Sequence, residues 1–158
     1  MKGIHSMIAA LALTLVLPAA ADAGVNDPEI IIYRFPGVRD DGGTNDVGVA
    51  TVFHCTNFSG VEENIRFVTR AQDGTLLQNT TGRILHLSTQ TFVTHFTLAY
   101  TFHQASMVTG AVTQGTTAIA ATSINIICTA ETIDASTAVP VGVARRGIRF
   151  SPVPGSQE

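Results

Sequence analysis

The stretch Val47-Gly48-Val49-Ala50-Thr51-Val52-Phe53-His54-Cys55-Thr56 decides the fold class. Strand side chains point alternately to two faces, so residues two apart share a face. Val49, Thr51, Phe53 and Cys55 then line one face, and Ala50, Val52, His54 and Thr56 the other. A second stretch, Ala118 to Ala130, repeats the pattern. Ala120, Thr122, Ile124, Ile126 and Cys128 share one face, with Ser123, Asn125, Thr129 and Glu131 opposite. Each cysteine lands on the more apolar face of its own strand. An even cysteine count in an exported chain favours pairing, and these two lack the close ligand spacing of a zinc site. Cys55 and Cys128 are therefore expected to form one inter-sheet disulfide through the core.

The alternation extends outward from these two strands. Phe92 to Phe102 puts Phe92, Thr94, Phe96, Leu98, Tyr100 and Phe102 on a bulky face that should be buried. Asn64 to Arg70 reads as a strand with Ile65 and Phe67 inward and Arg66 and Arg70 outward. Asp73-Gly74 then signals a hairpin, because Gly accepts positive φ, and the next strand runs through Leu76 and Leu77. Glu29 to Phe35 is an early strand stopped by Pro36-Gly37. Val108 to Val112, Val139 to Val143 and Gly147 to Phe150 are short candidates. Seven to nine short strands with no amphipathic helix predict an all-β, antiparallel β-sandwich, immunoglobulin-like or similar.

The N-terminus has the three parts of a secretory signal. Met1-Lys2 is positive, Ile8 to Leu17 is apolar, and Ala21-Asp22-Ala23 offers small residues for cleavage. The apolar run is too short to span a bilayer, which takes about 20 residues. The expected organisation is a signal peptide over 1–23, one β-sandwich domain over 24–150, and an extended Pro/Gly-containing tail over 151–158. The predicted location is secreted or periplasmic, with no membrane span after cleavage. Beyond residue 23 the chain has eight arginines, no lysine and eleven acids. That balance offers no electrostatic reason to bind nucleic acid. Asp40, Asp41 and Asp46 cluster near its start and Arg145, Arg146 and Arg149 near its end, both read as solvated loops.

Three groups carry side chains suited to chemistry. Asp40, Asp41, Asn45 and Asp46 place four oxygen-bearing side chains in one Gly-rich loop. Calcium takes six to eight oxygens, yet the spacing is not that of a known calcium loop, so these are weak metal candidates beside an ordinary turn. His54, His86, His95 and His103 form no close pair. His95 and His103, on one strand face, would lie roughly 26 Å apart. No G-x-S-x-G or H-E-x-x-H motif is present, and adjacent Glu62 and Glu63 would face opposite ways on a strand. No catalytic residue and no cofactor is predicted. Asn57-Phe58-Ser59 and Asn79-Thr80-Thr81 match the glycosylation triplet.

Phe53-His54-Cys55-Thr56-Asn57, Asp73-Gly74-Thr75 and Ile126-Ile127-Cys128-Thr129-Ala130 resemble segments of uncharacterised secreted bacterial β-sandwich proteins with one disulfide. The resemblance spans about residues 45–135, implies the architecture, and transfers no activity. An immunoglobulin comparison is looser, since the chain has no Trp to pack on the bridge. The function expected is that of a non-enzymatic structural or adhesive β-sandwich, its partner a protein or cell-surface component. The alternatives are a carbohydrate or small-ligand binding module, and a subunit of a surface polymer. Glu29 to Phe35 is the strand that could be donated in such a polymer.

Overall fold

The computed structural model describes residues 28–150. The expected signal segment and the tail 151–158 lie outside them. Ten strands follow in chain order: β1 (Ile30–Asp40), β2 (Val49–Asn57), β3 (Glu63–Ala71), β4 (Leu76–Ile84), β5 (Thr89–Val93), β6 (Gln104–Ser106), β7 (Val112–Ala121), β8 (Ile126–Asp134), β9 (Gly142–Arg145) and β10 (Ile148–Arg149). They form two five-stranded sheets. The first has the order β10-β1-β7-β3-β4 and the second β6-β5-β2-β8-β9. Every pairing is antiparallel except β5 with β6. No helix among the described residues is long and apolar enough to cross a membrane.

The sheets face each other across a core that interleaves aromatic rings. Phe35 of β1 meets Phe53 of β2 at 5.5 Å between ring centroids. Phe53 meets Phe67 of β3 at 5.6 Å, and Phe67 meets Phe92 of β5 at 4.4 Å. The rings thus come from the two sheets in turn. Edge-on and tilted pairs of this kind exceed their area burial by about 0.5–1.5 kcal/mol each. Thr51 adds a polar tie between sheets: its hydroxyl accepts from the Arg39 N–H and donates to the Arg39 carbonyl.

Several expected elements differ. Pro36-Gly37 does not stop β1. The strand continues to Asp40 through register shifts, one of them at Pro36/Val38, where Gly37 takes φ +76°. Only a bulge tolerates such a residue inside a strand. Because β1 lies between β10 and β7 of its own sheet, Glu29 to Phe35 is not a free strand to donate. The stretch from Ala118 to Ala130 is two strands rather than one. β7 ends at Ala121 in the first sheet and β8 begins at Ile126 in the second. The break falls at Ser123, whose hydroxyl takes the Asn125 N–H and turns the chain. The long aromatic strand ends at Val93. Beyond it His95 is buried, while Phe96, Leu98 and Phe102 are exposed, the last at 90%. Thr94 still bonds Thr51 of β2, donating its N–H to the Thr51 carbonyl and accepting the Thr51 N–H on its hydroxyl, while the His95 side chain turns to Asp40.

Cys55 and Cys128 are bonded, with 4.2 Å between their Cα atoms. They stand opposite each other on β2 and β8, neighbours in the second sheet. The bridge is therefore a cross-strand staple within one sheet and not the inter-sheet link expected. The separation matches a non-hydrogen-bonded antiparallel pair, where Cα atoms approach to about 4.5 Å. Both cysteines do face the core. Facing inward is common to partners across the core and to neighbours in one sheet, so alternation cannot separate the two cases.

Three outcomes follow from this packing. Thiol titration of denatured, unreduced protein should find none free, and two per chain would refute the bridge. Replacing both cysteines by Ala should lower the unfolding free energy by up to about 4.5 kcal/mol, the chain-entropy value for so long a loop. At Gly82 of β4, opposite Ile65, an added Cβ would come within 2.8 Å of the Phe92 ring. Gly82→Ala should therefore cost about 1–3 kcal/mol in urea denaturation, the range for overpacking.

Candidate functional site

Three polar or apolar groupings emerge from the folded chain. The first joins the β1–β2 loop to the segment after β5. Asp40 ends β1 facing inward, and its Oδ1 accepts the Gly42 N–H. Its Oδ2 lies 2.7 Å from His95 Nδ1, with both side chains almost wholly buried. His95 Nε2 lies 3.0 Å from the Val47 carbonyl. A carbonyl only accepts, so Nε2 carries a hydrogen there. Asp41 is exposed, and its two oxygens accept the N–H groups of Gly43 and Val49. The Val49 N–H is the main reason its carboxyl is held below the usual range.

Ligand atoms of Asp40, Asp41 and His95 lie within 4.8 Å of one another. Two of the four acidic-loop candidates thus come together, and His95 joins them. Asp46 does not belong to that group, and Asn45 is exposed. Asp46 sits at φ +62° with its N–H on the Phe96 carbonyl. Its Oδ1 is buried without a hydrogen-bond partner among the described residues. A cation held by Asp40, Asp41 and His95 would have to replace a ring hydrogen bond that already serves the fold. The arrangement reads chemically as a clasp between two loops.

The second grouping is one the linear sequence did not suggest. His54 on β2 points outward, its Nδ1 3.0 Å from Thr91 Oγ1. Tyr100, on the 3-10 turn Leu98–Tyr100, packs edge-on against the His54 ring at 4.8 Å and donates its hydroxyl to Glu131 Oε1 at 2.6 Å. His54 Nε2 is 3.5 Å from the same oxygen. Beneath lie Val52, Val93 and Ile133, with Ala99 and Tyr100 packed on them. Burial first, then the Glu131 carboxylate, push the Tyr100 phenol up to about 12. At neutral pH it is a hydrogen-bond donor and no nucleophile. The signal that could have found this group is the bridge itself. Reading Cys55 and Cys128 as directly opposed sets His54 against Thr129 and Val52 against Glu131.

His86 and His103 are exposed and separate from both clusters. His86 Nδ1 accepts the Gly60 N–H. Glu62 pairs with Arg83. Glu63 is buried, bonded through one oxygen to Thr122, its Oε1 without a hydrogen-bond partner among the described residues. In the first sequon Asn57 is buried, donating to the Val61 and Ile84 carbonyls.

The third grouping is at the end of the sandwich where β2, β4 and β7 finish. The loops 58–62, 85–88 and 122–125 meet there. Phe58 N–H bonds the Asn125 carbonyl, and Leu87 N–H bonds the Asn57 carbonyl. Phe58, Leu85, Leu87 and Ile124 are exposed by 50%, 61%, 67% and 44%. Leu87 holds φ +59°, a conformation that costs a non-glycine residue about 1–2 kcal/mol.

No protein family, curated protein or solved structure matches the chain.

Tyr100 makes the second grouping testable. The fold favours its neutral form, so its contribution to stability is full below pH 10 and is lost as pH rises towards about 12. Between those limits the urea midpoint of the wild type should fall more than that of Tyr100→Phe. Ultraviolet titration should also lose a phenolate step near pH 12 in the variant. Parallel midpoint curves would overturn the assignment.

Proposed function

We propose that this chain is an exported structural or adhesive β-sandwich that works by contact rather than by chemistry. The observation supporting the reading most directly is the loop tip. Phe58, Leu85, Leu87 and Ile124 stand out from three loops, and those loops are tied to their neighbours through main-chain hydrogen bonds. Grouped exposed apolar side chains on a soluble domain mark contact surfaces. Pre-ordered loops lower the entropy lost on binding. The strain at Leu87 supports the same reading, because it persists where surrounding bonds over-determine the backbone.

The polar clusters also favour contact over catalysis. Asp40, Asp41 and His95 are engaged by main-chain groups of Gly42, Val49 and Val47, and Tyr100 is held as a neutral phenol by burial and Glu131. Export is supported by the tripartite N-terminal sequence and by the buried disulfide, which suits an oxidising compartment.

The test uses labelled protein added to the cells that export it. Leu87→Ser with Phe58→Ser should weaken surface association at least ~10-fold, or about 1.4 kcal/mol, while the far-ultraviolet spectrum and melting stay native. Undiminished association would refute the contact role of the tip. Intact mass of the exported protein should begin at Gly24; material retaining Met1 would refute cleavage.

A further inference from the structure

We propose that the outer face of the first sheet holds a binding site for a small organic anion, a carboxylate carried on a short apolar body. The site is a trough across β1, β7, β3 and β4. Strand register sets its rows: Ile31, Ala120 and Arg66 stand side by side, followed by Ala118 beside Val68 and then Thr116 beside Arg70. The register shift between Ile31 and Tyr33 keeps Ile31 on this outer face while Ile32 and Tyr33 both enter the core. Ala118 and Ala120 are small, so the middle of the face sinks between the longer side chains of β1 and β3. They are only 5% and 2% exposed although they lie on the outside of the sandwich. The result is a trough of about 360 Å³ with an apolar floor and Arg66 and Arg70 at its sides.

The two arginines have different parts. Arg66 donates from Nε to Glu29, the one carboxylate lining the trough, so that end is closed by a neutralised pair. Arg70 lies four residues along the strand, roughly 13 Å away. It donates from one terminal nitrogen to the Gly74 carbonyl at 3.0 Å, which steadies the guanidinium. A guanidinium has five N–H donors in a planar fork that suits a carboxylate. An anion therefore seats at Arg70, with its apolar body running over Val68, Ala118 and Ala120 towards the Arg66–Glu29 wall. The volume is near the lower end of the ~300–1,000 Å³ range of small-molecule sites. It favours a free small acid over a polymer. Asp40, Asp41 and Asp46 do not line the trough.

Octanoate is the probe, titrated into the purified protein by calorimetry, with octanol as the uncharged control. Saturable one-to-one binding of octanoate is expected, at least ~10-fold tighter than octanol. Arg70→Gln should weaken octanoate ~10-fold or more, equivalent to about 1.4 kcal/mol. Ala120→Leu, which fills the floor, should abolish binding independently. Arg70→Gln, at a partly exposed residue, should melt close to the wild type and carries the test. Ala120→Leu is scored only with a native far-ultraviolet spectrum and a cooperative melt, because Ala120 is buried between its neighbours. No saturation by about 10 mM octanoate, equal affinity for octanol, or unchanged affinity in Arg70→Gln would each overturn the proposal.

Discussion

Phe53 lies between Phe35 and Phe67, and the rest of the structure depends on that placement. Its own strand belongs to the second sheet and both partners belong to the first. The ring therefore locks the distance and rotation of one sheet against the other. The disulfide works one step earlier. By fixing Cys55 opposite Cys128 it sets the β2–β8 register, and so the height at which Phe53 enters the core. A one-residue slip would turn Phe53 outward and His54 inward. Hydrophobic burial, aromatic packing and the covalent staple all specify one alignment, which is the agreement between levels that yields a single native state.

From that alignment the polar groups acquire their neighbours. The same register brings Glu131 diagonally near His54, and the turn carrying Tyr100 folds down on both. At the end of β1, Asp40 faces inward and meets His95 after the chain has left β5. Both clusters hold the 94–103 segment, one at its start and one near its end. Two anchors explain why a sequence that alternates like a strand leaves the sheet at Val93. Buried polar groups must be paired, and these pairs are available only off the ladder.

The two sheets present different outer surfaces. On the second, Val52, Val93 and Ile133 are covered by Ala99 and Tyr100. On the first, alanines at the centre of β7 leave a trough that no described segment fills. A bulge in β1 makes the difference possible, since it lets Ile31 remain outside while Ile32 and Tyr33 pack inside. The loop tip is distinct from both faces. It lies where the strands end, and its apolar side chains are held out by loops whose own backbone groups are paired.

Alternation alone determined much of this protein. The strand character of residues around Phe53, Ile65 and Phe67, the Asp73-Gly74 hairpin and the inward phase of both cysteines were legible because each depends on residues next to one another in the chain. The break at Ser123, the continuation of β1 past Pro36 and the end of β5 at Val93 were not. Each is decided by a partner distant in sequence: the opposite sheet, strand β7, or Asp40. The cysteines show the division most plainly. Their spacing and setting called for a bond, and side-chain phase placed both in the core. Whether they met across the core or along one sheet depended on strand order, which a period of two does not encode. The candidate sites follow the same division. Asp40 and Asp41 were visible as a pair of acids, while His95, the His54–Tyr100–Glu131 group and the Arg70 trough arose only when the sheets had formed and brought remote side chains to hydrogen-bonding distance.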